Sequence, residues 1–311
     1  MEEGARLVLR TSASLRAGER VLVVADASTR GIGEAFLSAA RGLGADPVLA
    51  VIDPRKGDGE EPPEPLGAAM QATDLVVLVA STSLTHTHAR RAANRAGARV
   101  ISIPGITSSM LEEGGLATDW AEIHEAVRRV ARRVRGSKEV RLTSAAGTDL
   151  MFQVAGRDWI TEDTGLCARK GAFTTLPAGE VFVAPVEGTA EGRLVADVYF
   201  DEPLSAPATA VVSEGHAARI TGATRAIHAM NRGGRDGRAF ARFGFGLNPR
   251  ARVAGPHLEA EKALGTAHVG FGDNLVLGGK IHCGVKVEAI LSDVGIVVDG
   301  KALVEKGRLV P

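Results

Sequence analysis

The 311 residues carry 37 basic and 37 acidic side chains, and 45% of them are apolar. That balance removes any whole-chain electrostatic pull toward nucleic acid or anionic membrane, and the length and apolar content suffice for two hydrophobic cores. Two cysteines, Cys167 and Cys283, are too few for a disulfide framework, which suits a reducing compartment. The start Met1-Glu-Glu-Gly lacks the basic and apolar runs of a signal peptide, and no stretch approaches the roughly 18 apolar residues of a membrane span. The expectation is a cytoplasmic protein with neither nucleic-acid nor membrane partner.

From Glu19 to about Arg135, short β-branched runs alternate with amphipathic stretches, the pattern of α/β architecture. Strands are predicted over Val21–Ala25, Pro47–Ile52, Leu75–Val79 and Val100–Ile103. Each is almost continuously apolar, as a parallel strand covered on both faces by crossover helices requires. Helices are predicted over Ile32–Leu43, Pro65–Ala72 and His86–Ala96. Gly31 and Gly33 lie in the first strand-to-helix turn, with Asp53 ending the next strand. Such glycines serve close packing as readily as a dinucleotide. A short-chain dehydrogenase also needs a tyrosine with lysine four residues on, and the sole tyrosine, Tyr199, has Pro203 there. His86 and His88 follow the third strand, where Thr85 is read as the helix cap. In the arginine run 128–135, Ile123, Val127, Val130 and Val134 fall on one helical face, so the arginines are read as its solvated side.

Beyond Gly136 the texture changes to hairpins, with turn signals at Ala146-Gly-Thr-Asp149, Glu187-Gly188, Glu214-Gly215 and Asp299-Gly300. Residues 1–136 are therefore expected to form a Rossmann-like α/β domain, and residues 137–311 a β-rich, metal-binding domain closed by a meander over Val285–Leu291, Gly295–Val298 and Ala302–Val310.

Four residues carry the chemistry. Glu180 stands alone in the apolar segment Val181-Phe-Val-Ala-Pro185, where an ionised carboxylate is costly unless a cation or strong donors meet it. Glu261, His268 and His282 follow within Gly-rich chain. Carboxylate oxygen and neutral imidazole suit zinc, manganese, cobalt or ferrous iron, and such a small set leaves coordination positions open for catalysis. Glu180, His268 and His282 are the expected ligands of one divalent ion, and Glu261 the expected general base.

The phrases Thr82-Ser-Leu-Thr-His-Thr, Ile103-Pro-Gly-Ile-Thr, Ala146-Gly-Thr-Asp-Leu, Leu176-Pro-Ala-Gly-Glu-Val-Phe, Gly244-Phe-Gly-Leu-Asn-Pro and Glu261-Lys-Ala-Leu-Gly-Thr-Ala-His resemble, in order, the aminopeptidase T family, especially its shorter leucyl-aminopeptidase-like members. That resemblance implies two metal ions held by two glutamates, two histidines and an aspartate, a substrate that is a small amide or short peptide, and a homodimer or larger assembly. Glu180, His268 and His282 fall where one glutamate and both histidines are expected. Arg242 stands in place of the second glutamate, and Gly284 in place of the aspartate two residues after the last histidine. A fixed positive charge there disfavours a second ion, so one ion is expected, with Arg242 and His228 read as substrate-binding groups. The chain also resembles the related 2,5-dihydroxypyridine dioxygenase, which implies mononuclear ferrous iron and oxygenative ring opening. Loss of two ligands leaves a non-catalytic member as a further alternative.

Overall fold

Nearly unbroken apolar runs in the first half build one parallel sheet, seen in the computed structural model, which describes residues 1–310. Two compact units share the chain: residues 1–125, 163–179 and 248–251 form one, and the remainder forms the other. In the first unit the strand order is Asp46–Ile52, Arg20–Asp26, Leu75–Leu78, Arg99–Ser102 and Phe173–Thr175, all parallel. The four strands read from the sequence lie within a residue or so of these bounds. The fifth is only three residues long and comes from well beyond residue 136, too short to leave a periodic signal.

Helices Arg30–Gly42, Glu64–Gln71 and His88–Ala96 make the crossovers. A Cβ on Gly33 would stand 2.8 Å from Leu49 Cδ1 and 3.0 Å from Ala25 Cβ. This glycine therefore lets the first helix sit down on the sheet, a packing role that needs no nucleotide. Thr87, rather than Thr85, caps the third crossover helix, accepting from the Arg90 amide at 3.2 Å. Thr85 is instead buried against Ser102, hydroxyl to hydroxyl at 2.8 Å, while His86 and His88 are exposed.

The second unit holds two antiparallel sheets. The larger has eight strands, with hairpins where Gly147, Gly215 and Gly300 were read as turns. The smaller has the order Tyr199–Phe200, Lys286–Leu291, Ala267–Gly272, Phe240–Gly246 and Glu180–Val183. The expected closing meander is divided between them. Lys286–Leu291 joins the five-stranded sheet, whereas Val294–Val298, Lys301–Glu305 and Arg308–Leu309 belong to the larger one. The change of sheet occurs at Ser292-Asp293, where Asp197 accepts from the Ser292 amide and hydroxyl and Asp293 turns the chain at φ 48°.

Alternation gives the five-stranded sheet two unlike faces. Val181, Phe243, Phe245, Val269, Phe271 and Val287 are buried on one of them. There the Phe243 ring meets Phe152 of the eight-stranded sheet at 5.0 Å and the edge of Trp159 at 6.1 Å. Each such ring, fully buried, contributes on the order of 1.5–3 kcal/mol. The opposite face carries the charged residues considered below. Helix Trp120–Val134 buries Ile123, Val127, Val130 and Val134 and leaves Arg128, Arg129, Arg132 and Arg133 exposed. Among the described residues no helix is long and apolar enough to cross a membrane.

Asp26 ends the first strand fully buried. Its carboxylate accepts from the Ser28 amide and hydroxyl at 2.9 and 2.6 Å and from the Ser81 amide at 2.6 Å. Burial would raise its pKa, but these donors outweigh that and bring it to about 2. The carboxylate thus ties two parallel strand ends together. Asp26→Ala should remove the acceptor of these part-buried amides and cost about 1–3 kcal/mol, read by urea denaturation at neutral pH.

Candidate metal centre

Period-2 geometry brings Glu180, Arg242, His268 and Glu288 onto one face of the five-stranded sheet. Glu180 pairs with Gly246, Gly244 with His268, and Glu288 with Gly270. The glycines make room. A Cβ on Gly244 would lie 2.4 Å from His268 Nε2, and one on Gly246 would meet the Lys262 carbonyl at 2.5 Å. The short helix His257–Ala260 then returns the chain over this face, carrying His257, Glu261 and Lys262.

Glu180 is the hub. Its Oε1 receives Lys262 Nζ at 2.7 Å and Arg242 Nη2 at 2.8 Å. Arg242 Nη1 donates to Glu288 Oε1 at 2.6 Å, and the guanidinium lies 4.3 Å over the Phe182 ring. Lys262 also donates to Glu261 Oε1 at 2.8 Å. Glu288 Oε2 stands 3.2 Å from His257 Nε2, and the more exposed Lys286 is 3.2 Å from Glu288 Oε1. Burial alone would raise both carboxyl pKa values. Instead Lys262, Arg242 and His268 hold Glu180 well below the carboxylate range, and His257, Lys286 and Arg242 do the same for Glu288. His257 is desolvated, yet its bond to Glu288 raises its pKa.

One oxygen of each inner acid remains over. Glu180 Oε2, Glu261 Oε2 and both ring nitrogens of His268 are buried without a hydrogen-bond partner. His268 Nε2 lies 2.6 Å from Glu180 Oε2, but the two are not aligned as donor and acceptor. Ligand atoms of Glu180, Glu261 and His268 all fall within 4.8 Å of one another, as do those of His257, Glu261 and Glu288. Unpartnered acceptors converging in a buried cluster fit a divalent cation. Arg242 and Lys262 place two fixed positive charges beside them.

A family profile for 2,5-dihydroxypyridine 5,6-dioxygenase, NicX, matches residues 5–311. The chain belongs to this family. No curated protein gives a significant match. Among solved structures, 2,5-dihydroxypyridine dioxygenase from Pseudomonas putida KT2440 superposes with a TM-score of 0.73 at 19% identity, covering 99% of this chain and 96% of that one. Wild-type AmpT from Thermus thermophilus gives a TM-score of 0.68 at 17% identity, covering 100% and 98%. At such identities these two likenesses show a shared fold.

Of the residues singled out in the sequence, the structure gathers Glu180, Glu261, His268 and Arg242. It does not gather His282, whose side chain is 75% exposed beside Asp273, 3.5 Å away. The loop carrying it is held outward because Asp273 accepts from the Cys283 and Gly284 amides and Asn274 from the Ile281 amide. His228 is exposed on the Thr224–Arg232 helix. Arg242 gives Nη2 to Glu180 and Nη1 to Glu288 and so orders the cluster, while its Nε is buried without a partner. Glu288, Lys262 and His257 were missed. Glu288 carried a legible signal, an acid in an apolar strand like Glu180. The spacing of the resemblance, with an acid two residues after its histidine, is met at Lys286-Val-Glu288 with lysine in the histidine's place.

Removing Arg242 strands two buried carboxylates, so Arg242→Met should cost the metal-free protein about 3–5 kcal/mol at pH 7. Depressed carboxyl pKa values contribute stability in full above the unfolded value near 4.3 and lose it as pH falls through the folded values. Urea titrations should therefore show the carboxylates' contribution level between about pH 7 and 5 and falling below that, with His257, its pKa raised, adding stability as pH falls through its own range and the deficit of Arg242→Met narrowing in acid.

Proposed function

We propose that this chain is a single-metal enzyme that opens a small hydroxylated aromatic ring with dioxygen, using ferrous iron. The observation that carries the reading is the donor set: three unpartnered buried ligand atoms for one ion, with Arg242 and Lys262 filling the space a two-ion clamp would need. Membership of a ring-opening dioxygenase family over residues 5–311 supports the same chemistry. Glu180 Oε2, Glu261 Oε2 and His268 Nε2 would hold the ion, which when bound supplies the redox chemistry that dioxygen requires. Lys262 and Arg242 keep Glu180 ionised, and Lys262 orients Glu261. His257, 32% exposed with Nε2 3.2 Å from Glu288 Oε2, takes the proton of the ring hydroxyl, and Glu288 steadies the imidazolium that results. Tyr199, its ring 4.4 Å from His257, offers an aromatic wall to a planar substrate.

Hydrolysis of a small amide or peptide is the second reading. It is favoured by Glu261, whose unpartnered Oε2 would in that reading serve as the base for water instead of as a ligand.

Elemental analysis of protein loaded anaerobically with iron, zinc or manganese separates the readings, followed by oxygen-uptake and amide-release assays on hydroxypyridines and aminoacyl anilides. The proposal expects about one iron per chain and oxygen consumption. Zinc or manganese with amide turnover and no oxygen uptake would establish the hydrolase, and a folded chain retaining no ion would leave the non-catalytic alternative. His268→Ala should lose the ion, whereas His282→Ala should keep it.

A further inference from the structure

We infer that the substrate carries a carboxylate on its ring, and that Lys286 is the residue that selects it. This deepens the ring-opening reading, on which it rests, by naming the substrate class. Tyr199 pairs with Ile290 across the sheet, and strand alternation sets Lys286, Glu288 and Ile290 on one face of Lys286–Leu291. Tyr199, Lys286 and Glu288 therefore share the polar face, and His257 joins them with its ring 4.4 Å from that of Tyr199. Lys286 Nζ stands 3.2 Å from Oε1 of Glu288, and His257 Nε2 stands 3.2 Å from Oε2. The ammonium and the imidazole assigned to the ring hydroxyl thus flank one carboxyl group, two anchors for one small ring.

Lys286 is the cation of this face that is open to solvent. Its side chain is 62% exposed, against 9% for Arg242 and 6% for Lys262. Oε1 of Glu288 already has a nearer, buried donor in Arg242 Nη1 at 2.6 Å, and an exposed pair such as Lys286–Glu288 adds little to stability. An ammonium has three donors, and the acid beside Lys286 occupies one. Charge points the same way. Arg242, Lys262 and Lys286 match Glu180, Glu261 and Glu288 in number, so a bound divalent ion leaves the face positive and a substrate carboxylate reduces that excess. A hydrogen bond between ammonium and carboxylate is roughly twice as strong as one between neutral groups, which lets Lys286 tell an aromatic acid from its neutral counterpart.

The test compares 3-hydroxybenzoate with 3-hydroxybenzamide, which share ring and hydroxyl and differ in charge. Binding is measured by calorimetry without oxygen to native protein, Lys286→Met and Lys286→Arg, each checked for folding by circular dichroism. Native protein should bind the acid at least about tenfold more tightly than the amide, a difference of about 1.4 kcal/mol. Lys286→Met should bring the preference below about threefold, and Lys286→Arg, which keeps the charge, should retain it. Native protein that binds both probes alike or neither, a Lys286→Met chain that keeps the preference, or a Lys286→Arg chain that loses it as fully as Lys286→Met would each overturn the inference. Oxygen uptake by iron-loaded protein reads the ring-opening chemistry separately. No uptake with hydroxypyridines or hydroxybenzoates, while the Lys286-dependent preference persists, would defeat that chemistry and leave the acid-selecting role of Lys286 in place.

Discussion

Glu180 is a buried carboxylate held between two permanent cations, and the arrangement of the five-stranded sheet follows from keeping it charged. An isolated anion at that depth would take up a proton or unfold its surroundings. Arg242 answers from the neighbouring strand and Lys262 from the chain that returns over the sheet. Satisfying those cations in turn fixes Glu288 and Glu261. The result is a linked alternation of acids and cations in which Glu180 and Glu261 each keep one oxygen without a hydrogen-bond partner.

This explains why the polar face is so rich in glycine. Five polar side chains cannot enter one patch of sheet unless neighbouring positions carry no side chain, and Gly244 and Gly246 clear the space that the His268 ring and the Lys262 backbone occupy. Phe243 and Phe245 alternate with them and lock the opposite face against Phe152 and Trp159. A single strand therefore serves both the apolar core and the polar site. In the same charge balance the chain's own side chains supply cations beside the acids.

Much of this was legible before any coordinates. Continuous apolar runs marked four strands of the parallel sheet, because burial on both faces leaves no other pattern. Glu180 stood out as an acid among apolar residues, and Glu261 and His268 as a carboxylate and an imidazole in Gly-rich chain. The failures have physical causes. His282 shares its neighbourhood in sequence with His268, but the Asp273 and Asn274 side chains fold the intervening loop outward, and no local pattern reports on those bonds. Glu288 is legible only through strand alternation, which sets Lys286, Glu288 and Ile290 on one face, because the histidine six residues earlier offers the more conspicuous ligand. Lys262 sits beside Glu261 and reads as a surface pair until the short helix of residues 257–260 turns it inward. The division of the last strands between two sheets depends on one turn at Ser292-Asp293, which periodicity cannot resolve.

The most direct measurement is anomalous X-ray diffraction from crystals of the protein soaked with manganese or grown anaerobically with ferrous iron. The account predicts one strong peak per chain, bounded by Glu180 Oε2, Glu261 Oε2 and His268 Nε2, with Lys262 and Arg242 still bonded to the carboxylates. A peak at His282, two peaks within the cluster, or an ion that has displaced both cations would contradict it.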